Sequence, residues 1–142
     1  MLVRCLYASR CVTPQPPALL DQILEQSRRN NPRRGITGLL CVTSEFFVQV
    51  LEGGRDEVSS LVCSILRDER HRDVRLLSYE EIAERQFGSW AMGQVEIESV
   101  NRALLLKYAP RPALDPFTIS ARATMSLLME LVATGAIVNR HT

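Results

Sequence analysis

The 142-residue chain has almost no charge of one sign to spare: its lysines and arginines exceed its acidic residues by one, for a formal net charge of +1. A surface built for DNA, RNA or anionic membrane usually shows a basic excess, so none of these is expected as a partner. Long apolar runs are missing too. The most hydrophobic late stretch, MSLLMELVATGAIV, is broken by Glu130 and falls short of the roughly 20 residues that span a bilayer. The opening MLVRCLYASRC has no long apolar core with a small-residue cleavage site, so a soluble cytoplasmic protein is expected. Cys5, Cys11, Cys41 and Cys63 form no C-x-x-C pair, and no histidine stands at ligand spacing from them. The expectation is therefore no metal site and buried free thiols. Repeats, low-complexity tracts and long charge blocks are absent, and the length suits one core with a short appendage rather than two full domains.

What is present is an ordered series of amphipathic segments. Residues 2–9 alternate as a strand, with Val3, Cys5, Tyr7 and Ser9 on one face. The TPQPP cluster opens a helix to about Arg29, striped by Leu19, Leu20, Ile23 and Leu24 and ended by NNPRRG. GITGLLCVT and EFFVQVLEGG make a hairpin, and residues 56–67 then carry Val58, Leu61, Val62, Ile65 and Leu66 at helical spacing. Strands are predicted at residues 74–82 and 90–97, on either side of the ERQFGSW loop. The order β-α-β-β-α-β plus an added strand predicts an α+β, ferredoxin-like sheet with two helices on one face. YAPRPALDP is a proline-broken connection, and residues 117–134 are predicted as a last helix with Ile119, Ala123, Leu127, Leu128, Leu131 and Val132 on its apolar face. One or two tail helices could thus cover the sheet's other face.

Gln49 stands in the middle of the third strand, where an amide needs partners for two donors and an acceptor. The first and third strands of such a sheet are commonly central neighbours, which brings Tyr7 within its reach if their faces agree. On side-chain type alone, Tyr7 also reads as a half-buried aromatic with its hydroxyl in water, and Gln49 as an amide bonded to backbone.

The combination of Tyr7-x-Ser9, Asn30-Asn31, GITGLL, FVQVLEG, DERH and RQFGSWAMG, in this order across residues 2–97, resembles the BLUF family of blue-light sensors that use flavin. The resemblance implies a noncovalent flavin, FAD with FMN as the alternative, held between the two helices over the sheet. It assigns Tyr7 and Gln49 to the ring edge, Asn31 with Asn30 nearby to the pyrimidine edge, and Ile23 and Ile65 to the two ring faces. NN also reads as a simple helix terminator, and the isoleucines as plain core. Arg70 and His71 could reach the ribityl or phosphate end, where a guanidinium suits anionic oxygens, or form a solvated charge cluster.

The implied mechanism is photochemical: Tyr7 gives an electron and then a proton to the excited flavin through Gln49, which is left in another rotamer or tautomer and shifts the flavin band to the red. Trp90 and Met92 match positions that pass this change onward; either could be the inward one, and both also read as ordinary core. The resulting division is a flavin-binding unit at residues 1–98 and a helical extension at 99–142. With no effector chemistry legible in the tail, a stand-alone non-enzymatic sensor is expected, acting on a separate protein or through its own homo-oligomer. Two rivals are a small ferredoxin-like enzyme such as an acylphosphatase, against which the lack of a glycine-rich phosphate cradle speaks, and a module that has lost the cofactor, against which Tyr7, Asn31 and Gln49 speak.

Overall fold

The computed structural model describes residues 1–11, 17–43, 45–96 and 100–134. Five strands, β1 (Leu2–Cys11), β2 (Thr37–Val42), β3 (Phe46–Gly54), β4 (His71–Ile82) and β5 (Gly93–Glu96), form one sheet in the order β4-β1-β3-β2-β5. All neighbours run antiparallel except β2 and β5. The helices α1 (Pro17–Arg34) and α2 (Arg55–Arg67) belong to one face, and α3 (Arg102–Tyr108) and α4 (Ala121–Thr134) to the other. This is the expected ferredoxin-like arrangement with an added strand.

Strand alternation divides the core in two. On the first face Val3, Cys5, Tyr7, Phe47 and Leu51 meet Ile23 and Leu24 of α1 and Val58 and Val62 of α2. On the second, Leu6, Ala8, Val48 and Val50 meet Leu127, Leu128 and Leu131 of α4 and Leu105 of α3. The tail helices therefore do cover the second face. Lys107 and Tyr108 of α3 both donate to the Glu130 carboxylate and tie the two together.

Several boundaries differ from the sequence reading, each for a local reason. The first helix runs on through Asn30, Asn31 and Pro32, and its end is made by Gly35 at φ +66°. There the Gly35 N–H donates to the Pro32 carbonyl (3.3 Å) and the Ile36 N–H to the Asn31 carbonyl (3.0 Å), the paired bonds of a Schellman cap. Asn30 and Asn31 are thus not the terminators. The last helix begins at Ala121 rather than near Phe117, because Ser120 Oγ accepts from the Ala123 N–H (3.0 Å) as its N-cap. A short helix, α3, precedes the proline-rich connection, capped by Asn101 Oδ1 on the Ala103 N–H (2.8 Å). The strand after α2 starts at His71 rather than Val74, so its first residues flank the end of β1. Leu66, read as part of the α2 stripe, is exposed instead, and Cys63 is an exposed thiol whereas Cys5, Cys11 and Cys41 are buried. Trp90 and Met92 precede β5 rather than lying in it. Ile97, most of TPQPP, and the side chains of Leu19 and Leu20 lie outside the described residues.

One close approach fixes the inner edge of β2. A Cβ at Gly38 would sit 2.1 Å from the Val50 carbonyl oxygen, so only glycine lets β2 come this near β3. Its N–H donates to the Trp90 carbonyl (3.1 Å).

Candidate functional site

The β1–β3 ladder sets Tyr7 directly opposite Gln49. Residues facing each other across antiparallel strands project to the same side, which brings phenol and amide together without help from a loop. The Tyr7 hydroxyl donates to Gln49 Oε1, and Gln49 Nε2 donates to Met92 Sδ at 3.3 Å. Tyr7 is 1 % and Gln49 5 % exposed, so neither polar group can rely on bulk water. Burial, reinforced by the negative charges that Cys5 and Asp68 would carry, holds the Tyr7 phenol well above its ordinary pKa, and it keeps its proton at neutral pH. Gln49 spends one amide hydrogen on a thioether, a weak acceptor, and has a second hydrogen to give.

A cleft between α1 and α2 opens over this pair. Tyr7, Ile23, Asn30, Asn31, Gln49, Ile65, Arg70 and His71 all line it, so eight residues singled out in the sequence do converge. Ile23 enters from α1 and Ile65 from α2. Asn31 is 2 % exposed, and its Nδ2 donates to the Ala91 carbonyl at 2.9 Å. Its side-chain oxygen has no such partner among the described residues, leaving a buried acceptor beside the cleft. Arg28 Nε also reaches the Met92 carbonyl (3.4 Å). With the Gly38 bond, three successive carbonyls, those of Trp90, Ala91 and Met92, are each held.

Met92 and Trp90 part company at the sheet. Met92 is fully buried on the cleft side beside Gln49, whereas the Trp90 side chain packs into the second core with Phe87 and the α4 leucines. Of the two, Met92 is the inward residue.

The far end of the cleft is polar. Asp68 receives Arg70 through Nη2 (2.6 Å) and Nε (3.0 Å), and Arg70 Nη2 also donates to Gln26 Oε1 (3.1 Å). The Arg70 hydrogen bond holds the Asp68 carboxyl below its usual value. Arg70 is therefore an oriented cation rather than a freely solvated one. His71 Nδ1 lies 2.7 Å from Ser9 Oγ, and its ring rests on Phe47 with centroids 4.7 Å apart. Burial, countered by Asp68 and aided by Arg70, pushes its imidazole below the ordinary value and leaves it neutral at pH 7. Asp68 was read only as part of DERH, with no role of its own, and Gln26 escaped the sequence reading. Asp68, two residues before Arg70 in RDERH, was legible as a carboxylate partner; Gln26 on a solvated helix face gave no signal.

The cleft thus has apolar walls from two helices and a hydrogen-bonding pair on its floor. A buried amide acceptor lies at one side and an oriented guanidinium at the far end. Such a set suits a planar, polar-edged ring carrying an anionic or polyhydroxyl tail. Comparison with known proteins agrees. The family described as sensors of blue light using FAD matches residues 2–93. The photoactivated adenylate cyclase subunit beta of Euglena gracilis is 34 % identical over 92 residues, 64 % of this chain but only 11 % of that protein. The blue light- and temperature-regulated antirepressor BluF of Escherichia coli is 27 % identical over 65 % of this chain and 23 % of its own length. The chain therefore spans only a small part of these relatives. Two solved structures match nearly end to end. The dark-state structure of BlrB has a TM-score of 0.76 and 33 % identity, over 94 % of this chain and 96 % of that one. The ground state of BlsA has a TM-score of 0.81 and 28 % identity, over 100 % and 92 %.

Proposed function

The chain belongs to the BLUF family, and from that premise we propose that its cleft holds FAD noncovalently, with Tyr7 and Gln49 as the light-operated switch. The chain is a blue-light photoreceptor that uses a flavin, and not an enzyme. The observation that carries the assignment of the switch is the buried relay from the Tyr7 hydroxyl to Gln49 Oε1 and from Gln49 Nε2 to Met92 Sδ.

Ile23 and Ile65 would flank the ring, the spare hydrogen of Gln49 and the free oxygen of Asn31 would meet its polar edge, and Arg70, oriented by Asp68, would serve the tail. Arg70 favours phosphate, which both FAD and FMN carry. When bound, the flavin supplies absorption of blue light, a strong one-electron oxidant in its excited state, and ring-edge hydrogen-bonding groups. Tyr7 would be the electron donor, and its proton would pass along the existing bond to Gln49 Oε1 while Gln49 Nε2 gives one up toward the bound ring. With the electron's return that proton would come back to Gln49 and one would pass from Gln49 to the phenolate oxygen, leaving Tyr7 neutral and Gln49 with its original hydrogen count, reversed or as the other tautomer. The two ends of an amide have nearly the same size, so the reversal changes donor into acceptor while the packing around it stays. Met92 Sδ, which accepts from Nε2, would face the carbonyl oxygen after reversal, which cannot donate, and a nitrogen with one hydrogen fewer after tautomerisation. That loss is the first event passed to the segment 90–92.

The second-face helices carry the output in this reading. Trp90 packs among the α4 leucines, so a shift of its segment is felt there. We assign sensing to residues 1–98 and output to 99–142. The output surface acts on a separate protein or a second copy of the chain, in the cytoplasm. Among the described residues no helix is long and apolar enough to cross a membrane.

The test is direct. Purified protein is expected to be yellow and to release FAD on heating, as identified by chromatography against FMN. Blue light should move its visible band slightly to the red, reversibly in darkness. Tyr7→Phe and Gln49→Leu should retain flavin and lose the normal shift. Colourless protein that cannot be reconstituted, or Gln49→Leu protein that photocycles like its parent, would overturn the assignment.

A further inference from the structure

Glu52 is a carboxylate with no exposed surface, set in the second core three residues after Gln49 and on the opposite face of β3. Four donors meet it. Arg4 approaches through Nε and Nη2 (2.8 Å each), the Phe87 N–H donates at 2.6 Å and the Gln86 N–H at 3.0 Å. The backbone of the same residue is engaged as well. Its carbonyl accepts from Arg85 Nη1 (3.2 Å), while that guanidinium also reaches Thr37 Oγ1 (2.9 Å) and the Gly35 carbonyl (2.7 Å). Residues 85–87 are thereby fastened to β3 by a side chain running each way. Phe87 is fully buried beside Trp90 in the same core, and the chain then runs straight to the Gly38, Asn31 and Gln49 contacts of residues 90–92.

A buried ion pair is a poor way to stabilise a core, since apolar residues of similar volume often serve as well or better. What it supplies here is position: two backbone N–H groups from a turn 34 and 35 residues away find one fixed acceptor. We propose that Glu52 is a positioning residue of the light response, setting where residues 90–92 rest relative to Gln49 and how strongly they are drawn back after the switch. This rests on the light-sensing reading above. Gln49 pushes on Met92 from one face of the sheet, and the Glu52 clamp holds the approach to Met92 from the other. Loosening the clamp should therefore leave the photochemistry intact and slow the return.

The experiment uses the full chain with flavin bound and compares parent, Glu52→Gln, Arg85→Ala and Val3→Ala for red shift, dark-recovery rate and urea midpoint. Glu52→Gln keeps the shape but sets an NH2 group against N–H donors. It is expected to keep the red shift and to slow dark recovery about tenfold, equivalent to ~1.4 kcal/mol. Arg85→Ala removes the other half of the clamp and should slow recovery too, so the proposal stays testable if Glu52→Gln does not fold. Val3→Ala truncates the first core away from the cleft and should lower the urea midpoint without changing recovery. Parental recovery in Glu52→Gln, or in Arg85→Ala where the former does not fold, would overturn the proposal. Equal slowing in Val3→Ala would do so too, since recovery would then follow stability alone. A parent chain with no red shift would overturn the light-sensing reading, and the proposal with it.

Discussion

The Tyr7–Gln49 bond can be weighed by a double-mutant cycle on the flavin-free chain, where no ligand energy enters. Both groups are buried, so removing one leaves the other without its partner and without water. Tyr7→Phe strands an amide oxygen, and Gln49→Leu strands a phenol hydroxyl while also freeing the Met92 sulfur. Each orphaned group costs about 1–3 kcal/mol. The double variant strands neither, so that penalty, counted once in each single change, vanishes from it. Tyr7→Phe with Gln49→Leu should therefore be more stable than the sum of the singles predicts by the two penalties together, about 2–6 kcal/mol, from the upper part of the usual range for contacting residues to beyond it. Urea unfolding followed by circular dichroism measures this at each corner, provided the slopes agree and only the midpoints move. Additivity within about 0.5 kcal/mol would mean that the hydroxyl and amide are not each other's principal partners, and the proton relay would lose its geometric basis.

Two further outcomes follow from burial. Leu127→Asp with Leu131→Asp places two carboxylates on the α4 face packed against the sheet, at positions 1 % and 0 % exposed. At several kcal/mol per unpaired ion against a total of about 5–15, the double variant should show no cooperative unfolding transition; a parental melting curve would mean that α4 does not seal that face. His71, whose folded pKa is depressed, binds protons more readily in the unfolded chain. The stability it contributes is complete above about pH 6.5 and is lost as pH falls through the lower folded value. A urea-midpoint profile from about pH 7.5 to 5 should therefore fall less steeply in His71→Gln than in the parent, and parallel profiles would place the acid sensitivity elsewhere.

The alternation in residues 2–9 and the helical stripe in residues 56–67 made most of the fold readable, because period 2 and period 3.6 report which face is buried. Strand order brought Tyr7 within reach of Gln49 only if their faces agreed, and it was the resemblance that assigned both to one edge; the β1–β3 register sets them opposite each other. Asn31 was harder. Next to Pro32 it reads as a stop, and only the paired bonds of the Gly35 cap, made a turn later, let the helix carry it to Ala91. Trp90 and Met92 could not be sorted by parity, since they lie outside regular strand. Glu52 was invisible, because a glutamate near a strand end ordinarily faces water. Its burial depends on Arg4 and two loop amides distant in sequence, and no local pattern announces partners of that kind.

The anchors of the segment 90–92 differ in how freely they can be varied over generations. Arg28 and Asn31 hold their carbonyls with side chains, so substitution there can lengthen, weaken or abolish a bond while the sheet stays as it is, although at Asn31 it also alters the wall of the cleft. Gly38 holds the Trp90 carbonyl with its backbone, at a point where any added carbon would drive β2 off Val50. Lineages that drift toward faster or slower sensors can thus tune the first two positions by small steps. The third offers no intermediate: glycine stays, or the edge of the sheet and the indole's seat are rebuilt together.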